Sequence, residues 1–130
     1  QYQHPIAELQ QVVSDQELIK AQEEIKGVYI APPVKRYIVD IVRQSRQHPD
    51  VYLGASPRGS LALFRTGQAR AMIQGRDYVL PDDIKALVKP ALSHRVILGP
   101  AARLRDLSTD QVLDEVLSRI PVPGGDLKGS

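Results

Sequence analysis

The chain has 130 residues, which is the size of one domain, with 42% apolar and 25% charged residues and a formal net charge of +2. The absence of cysteine excludes disulfides and thiolate metal sites, and no apolar run approaches the roughly 18 residues of a membrane span. The small net charge does not by itself indicate a polyanionic partner. With aromatic residues at only 5%, we expect an aliphatic core.

The first third of the chain carries two helix signals. Ser14 and Glu17 form a capping-box pattern that predicts a helix over 15–26, ended by Gly27. The β-prone residues 28–30 are compatible with an isolated strand or with a buried linker. A proline pair then opens a second helix, which has the clearest apolar periodicity in the chain and ends near residue 48. Its predicted buried stripe is Val34, Tyr37, Ile38, Ile41 and Val42.

A third helix is predicted from Pro57 to about Gln74, after a loop over 50–55. Ser56 is a favoured N-cap and Pro57 a favoured first helical residue, so the start of this helix is well marked. Gly75 is a plausible C-cap. The expected buried stripe of this helix consists of Leu61, Phe64, Ala71 and Met72.

The next helix begins at Pro81, and Asp82 and Asp83 have the sign that suits the positive end of its dipole. Pro90 is expected to kink this helix or to break it into two. The β-prone residues 95–98 follow, and we expect them to pair with residues 28–30 in a minimal ribbon. The apolar stripe of the helix comprises Ile84, Leu87, Val88, Ala91 and Leu92.

The last predicted helix follows a break at Gly99-Pro100. Ser108 and Gln111 form a second capping-box pattern, and the helix extends through Arg119. The predicted fold class is therefore all-α: a small bundle of four to five helices with room for one two-stranded β-ribbon. We expect the Gly- and Pro-rich end of the chain to be unstructured.

No residue pattern in the chain forms a self-contained active site. The phosphate-cradling motif G-x-x-x-x-G-K-[ST], the metal-binding H-E-x-x-H and the nucleophile motif G-x-S-x-G are all absent. His4, His48 and His94 are isolated from one another, so we interpret each as a surface or capping residue and predict no metal site.

Arg58 is an unusual residue for its position, because it lies at a helix start. The free N–H groups and the positive dipole end there favour an anion over a cation. Arg58 and these groups together could bind a phosphate, and Gly59 would leave room for it. On residue chemistry alone, however, an exposed arginine that turns into the water is the favoured interpretation.

The remaining basic residues resemble ordinary solvated helix faces. Arg36, Arg43 and Arg46 lie on one predicted helix and Arg65 and Arg70 on another, with acidic residues nearby. A nucleic-acid surface would need clustered positive charge and stacking aromatic residues. We therefore do not expect a nucleic-acid partner.

Nearly the whole chain, residues 4–123, resembles the helical lid of the MoxR family of AAA+ ATPases. The combination is specific: "LGASPR" is followed one long helix later by "GRDYVLPDD" and then by "HR". The resemblance implies a lid over 14–122, a linker from a preceding ATPase core at 1–13 and a flexible tail at 123–130. The missing initiator methionine agrees with a piece of a longer chain.

The resemblance also implies a function. By motif position, Arg58 is the sensor 2 arginine that reaches the nucleotide phosphates, and Ser56 and Pro57 shape the helix start that aims it. The partners implied are the chain's own P-loop core, neighbouring subunits of a hexameric ring and von Willebrand factor A domain proteins. ATP and Mg would be bound by that core, in a cytoplasmic, chaperone-like remodelling protein, and this chain would bind neither tightly.

Two residues depart from the family pattern. Gly59 stands where alanine is common, and Leu80 stands where Ser or Thr usually caps a helix. No residues here match the P-loop, the Mg-binding acidic motif, sensor 1 or the arginine finger, so we expect no ATP hydrolysis by the chain alone. The alternative function is a helical protein- or nucleic-acid-binding module without a nucleotide role.

Overall fold

The computed structural model describes residues 14–129, so the linker expected over 1–13 lies outside the described residues. The described part has six α-helices, a short antiparallel ribbon and one 3-10 turn, which confirms a mainly helical domain. None of these helices is long and apolar enough to cross a membrane. The elements are α1 Asp15–Lys26, α2 Pro32–Gln47, β1 Val51–Leu53, α3 Pro57–Ile73, α4 Pro81–Leu92, the 3-10 turn Ser93–Arg95, β2 Ile97–Leu98, α5 Pro100–Leu104 and α6 Thr109–Ser118.

Helix α2 is the centre of the bundle, with α3, α6 and β1 packed around it. The stripe predicted from its periodicity is confirmed, since all five positions are at most 2% exposed. The α4 stripe is confirmed at three of its five positions, since Ile84, Val88 and Leu92 are fully buried. The core is aliphatic, as the composition predicts.

The ribbon has a different partner from the one predicted. β2 pairs antiparallel with β1, in the register Val51 to Leu98 and Leu53 to Ile97, so the expected loop over 50–55 contains a strand. Residues 28–30 instead form a single bridge, in which Tyr29 pairs with Tyr78. Several short segments of the chain could pair as strands, and the packing of the helices decides which two of them lie side by side.

The buried face of α3 differs in part from the prediction: Ala71 is buried and Phe64 and Met72 are partly buried against the core, but Leu61 is not. Leu61 is 53% exposed, whereas the buried positions are spaced four residues apart along the helix. A Cβ atom at Gly67 would lie 2.7 Å from Cδ1 of Ile84, so α4 approaches the α3 backbone itself. Small residues make this close packing possible. The contact line therefore follows Gly59, Gly67 and Ala71, together with Leu63.

The break expected at Pro90 is absent, and Pro100, which is expected to interrupt the chain, begins a helix. Pro90 lies in the last turn of α4, and the helix continues past it to Leu92 without a break. Its missing N–H group leaves only the carbonyl of Ala86 without a helical partner. Pro100 begins the short helix α5, because proline is well suited to a first helical position.

Residues 119–129 form no helix or strand, but they contact the rest of the domain. Leu127 is only 7% exposed and belongs to the core cluster, and a Cβ atom at Gly129 would lie 3.2 Å from the ring of Tyr29. The expectation of an unstructured end is therefore wrong at Leu127, where burial of the leucine side chain favours an ordered position.

Candidate functional site

The loop before α3 is held against the last turn of α2. A Cβ atom at Gly54 would lie 2.5 Å from the Cα of Arg46, so the backbone passes too close for any side chain. The N–H of Ala55 donates to the hydroxyl of Ser45 at 3.4 Å, and that hydroxyl donates to the carbonyl of Val42 at 2.6 Å. Ala55 is also fully buried, so the loop is held in place directly before α3 starts.

Replacing Gly54 with alanine is expected to destabilise the domain by about 1–3 kcal/mol, because the new methyl group would collide with the α2 backbone. Urea unfolding followed by circular dichroism measures the loss. The matched control is Gly124→Ala, because nothing lies within 4 Å of that position. Equal stability of the two variants would contradict the close approach.

Ser56 and Pro57 start α3 in the way the sequence predicts. Ser56 is the N-cap, with its hydroxyl accepting from the N–H of Arg58 at 3.3 Å, and Pro57 is the first helical residue. The N–H of Gly59 donates to the Ser56 carbonyl at 2.7 Å. The free N–H groups expected at this helix start therefore already have partners in the chain, which is a correction. Attraction of an anion rests on the helix dipole and on side chains.

The Arg58 side chain is exposed at this helix start. No carboxylate oxygen of residues 14–129 lies within 4.0 Å of its guanidinium, whereas five of the other ten arginines have such a partner: Arg43, Arg70, Arg76, Arg105 and Arg119. The first turn of α3 contains no acidic residue either. A rigid helix start thus presents a cation with no charge partner in the described part of the chain.

Arg70 and Arg76 have a different role, since both bind the carboxylate of Asp83. Arg76 donates two hydrogen bonds of 2.7 Å to it, and Arg70 donates one of 2.6 Å. Asp83 is fully buried and also accepts the N–H of Leu80 at 2.8 Å, which replaces the missing side-chain cap there. The interpretation of Arg70 as a solvated surface residue is therefore wrong. The interpretation of Asp83 as a partner of the helix dipole is incomplete.

The charge state of Asp83 follows from these contacts. Burial alone would raise the pKa of Asp83, but the hydrogen bonds from Arg76, the Leu80 N–H and Arg70 together lower it below its ordinary value. The pKa of Arg76 is raised, chiefly by its hydrogen bonds to Asp83. A carboxylate with a lowered pKa and with partners on both oxygens is unsuited to general acid or base catalysis near neutral pH, so this triad is structural.

His48 also has a structural role that the sequence does not specify. It is only 4% exposed, and its Nδ1 accepts the N–H of Asp50 at 3.0 Å. Its Nε2–H therefore donates to Glu115 at 3.1 Å, which ties the end of α2 to α6. The ligand atoms of His48, Asp50 and Glu115 lie within 4.8 Å of one another. Arg105 pairs with Asp50 at 2.5 Å, and Arg119 pairs with Glu115 at 3.0 Å. Both carboxylates of the cluster therefore already have an arginine partner, and we interpret the cluster as a structural contact.

Comparisons of the sequence with known proteins agree with a helical lid. The profile of the AAA lid domain family matches residues 43–116. The uncharacterised protein YeaC of Bacillus subtilis is 42% identical over 120 residues, which are 92% of this chain and 38% of YeaC. Chaperone MoxR1 of Mycobacterium tuberculosis is 29% identical over 122 residues, which are 87% of this chain and 32% of MoxR1. Protein MoxR of Paracoccus denitrificans is 32% identical, over 75% of this chain and 33% of the relative.

A solved structure agrees with the sequence comparisons. A protein of Cytophaga hutchinsonii, provisionally assigned as an ATPase, superposes with a TM-score of 0.82 at 30% identity. The match covers 87% of this chain and 37% of that protein, so the chain spans about a third of the proteins it matches. Together, the helical fold and these matches confirm the resemblance: the chain belongs to the AAA lid domain family, as a lid of the MoxR group of AAA+ ATPases.

Proposed function

We propose that this lid closes over ATP and supplies Arg58 as the sensor 2 arginine of a larger ATPase. The observation that carries the proposal is the exposed guanidinium of Arg58, which has no carboxylate partner among residues 14–129. Ser56 and Pro57 fix the start of α3, and Gly54 fixes the loop before it. An arginine delivered from a rigid helix start can bind phosphate oxygens with two parallel hydrogen bonds.

The rest of the catalytic machinery belongs, in this proposal, to a P-loop core in the same protein. That core would bind ATP and Mg, and Arg58 would stabilise negative charge as it develops on the transferred phosphoryl group. Because the arginine lies on the lid and the nucleotide on the core, loss of the γ-phosphate would loosen the lid. The parent protein would then be an ATP-dependent, chaperone-like remodelling factor. The hexameric ring, the von Willebrand factor A partners and the cytoplasmic location stay predictions.

The proposal is tested by comparing the 130-residue chain with the longer natural protein. We expect the longer protein to hydrolyse ATP and to bind a fluorescent ATP analogue tightly. The 130-residue chain should show no turnover and only weak binding, because one arginine cannot replace a phosphate-cradling loop. No turnover by the longer protein, together with salt-sensitive DNA binding by the lid, would favour the alternative of a nucleic-acid-binding module.

A further inference from the structure

A second arginine lies beside the start of α3, although it is 37 residues further along the chain. Arg95 ends the 3-10 turn after α4, and its Nε–H donates to the carbonyl of Ala91 at 3.1 Å. The side chain is exposed. Within residues 14–129, the terminal N–H groups of its guanidinium have no hydrogen-bond acceptor, and no carboxylate lies within 4.0 Å. The four terminal N–H donors of Arg95 are thus available to a ligand.

The aliphatic stem of Arg95 crosses the first turn of α3. A Cβ atom at Gly59 would lie 4.0 Å from Cδ of Arg95 and 3.1 Å from Cδ2 of Leu92. Gly59 is buried by these neighbours and follows Arg58 directly in the chain. The glycine at this position, unusual for the family, therefore lets the end of α4 come close to the residue proposed to bind phosphate.

Arg58 lies in the first turn of α3, at the positive end of its dipole, and the stem of Arg95 contacts the same turn at Gly59. Both arginines are exposed, and the first turn of α3 contains no acidic residue, which is also true of α2 and α5. Like charges near a dipole end of the same sign repel one another, and no carboxylate oxygen of residues 14–129 lies within 4.0 Å of either guanidinium. An anion with several oxygens would relieve this repulsion and could accept from both arginines.

We propose that Arg95 is a second phosphate-binding residue, which acts with Arg58 on the triphosphate of a nucleoside triphosphate. This inference rests on the proposed function, because it needs a core that brings the triphosphate to this end of the lid. Arg58 is attached to α3 and Arg95 to the end of α4, so both helices would be tied to the same polyphosphate. The lid orientation would then depend on two contacts rather than one.

The test uses the longer natural protein with Arg95→Gln and Arg95→Lys. Glutamine keeps most of the stem over Gly59 and removes the charge, whereas lysine restores a charge. We expect Arg95→Gln to weaken binding of a fluorescent ATP analogue about tenfold, since a charged hydrogen bond to phosphate is lost, and Arg95→Lys to recover part of it. Unchanged melting temperatures would show that both variants are folded.

The matched control is Arg36→Ala. Arg36 is an exposed arginine near the start of α2, nine residues before Ser45 and so roughly 13 Å along the helix from the Ala55 contact. Normal affinity in Arg95→Gln with impaired turnover in Arg58→Ala would overturn this inference and leave the proposed function standing. A loss in the lysine variant as large as that in the glutamine variant would also overturn it, because the affinity would then not depend on a positive charge at this position. Normal affinity and turnover in all variants, Arg58→Ala included, would overturn both proposals.

Discussion

Replacing Arg58 with alanine in the longer protein, which we propose to be an ATPase, is expected to lower kcat for ATP hydrolysis about a hundredfold, the usual cost of losing a preorganised donor aimed at developing charge. The start of α3 should survive the change, because the cap at Ser56 and the proline at position 57 involve no side-chain atom of Arg58. Steady-state turnover with saturating ATP and Mg measures the effect, and circular dichroism checks that the lid is folded.

Two further variants make this experiment specific. Arg36→Ala removes an exposed arginine elsewhere on the lid and should leave turnover unchanged. Arg58→Lys retains the charge without the planar fork and should fall between alanine and the native residue. Full turnover in Arg58→Ala would show that the arginine faces water throughout the cycle, and the sensor 2 assignment would then be wrong.

Replacing Asp83 with alanine should have the largest effect on stability, a loss of about 3–5 kcal/mol. The substitution leaves two arginines without their shared carboxylate, with side chains only 19% and 34% exposed, and it also removes the partner of the Leu80 N–H. Urea unfolding monitored by circular dichroism gives the free energy of unfolding.

The adjacent residue provides the matched control for Asp83. Asp82 is exposed in the same first turn of α4, so Asp82→Ala removes an equal charge at a cost of about 0.3–1 kcal/mol from the helix dipole. Similar losses in the two variants would show that charge near the helix start matters and that the buried triad does not.

The pH dependence of stability should report the same carboxylate. The pKa of Asp83 is lower in the folded protein than in the unfolded chain, so its contribution is fully present above its ordinary value, about 3.9. That contribution is lost as the pH falls through the lower, folded pKa. The native protein should therefore lose stability in acid more steeply than Asp83→Ala, measured by urea unfolding between neutral and acidic pH. Parallel curves would contradict the lowered pKa.

The sequence predicts those features of this domain that depend on neighbouring residues. The start of α3 at Ser56 and Pro57 and the capping box at Ser108 and Gln111 are local hydrogen-bond patterns, and the structure contains both. The buried stripes of α2 and α4 follow from helical periodicity. Arg58 is proposed as a phosphate-binding residue from its place in the "GASPR" motif, and it is exposed in the structure.

Other features are decided only when distant segments meet. β2 pairs with β1 rather than with residues 28–30, and α3 packs along its small residues. The partners of Asp83 lie 7 and 13 residues before it, and Arg95 reaches Gly59 from 36 residues away. No local pattern specifies such contacts, because their free energy depends on which helix faces come together. The sequence alone thus determines the helices and the arginine at the start of α3, whereas tertiary packing decides which charges are neutralised and which stay available to a ligand.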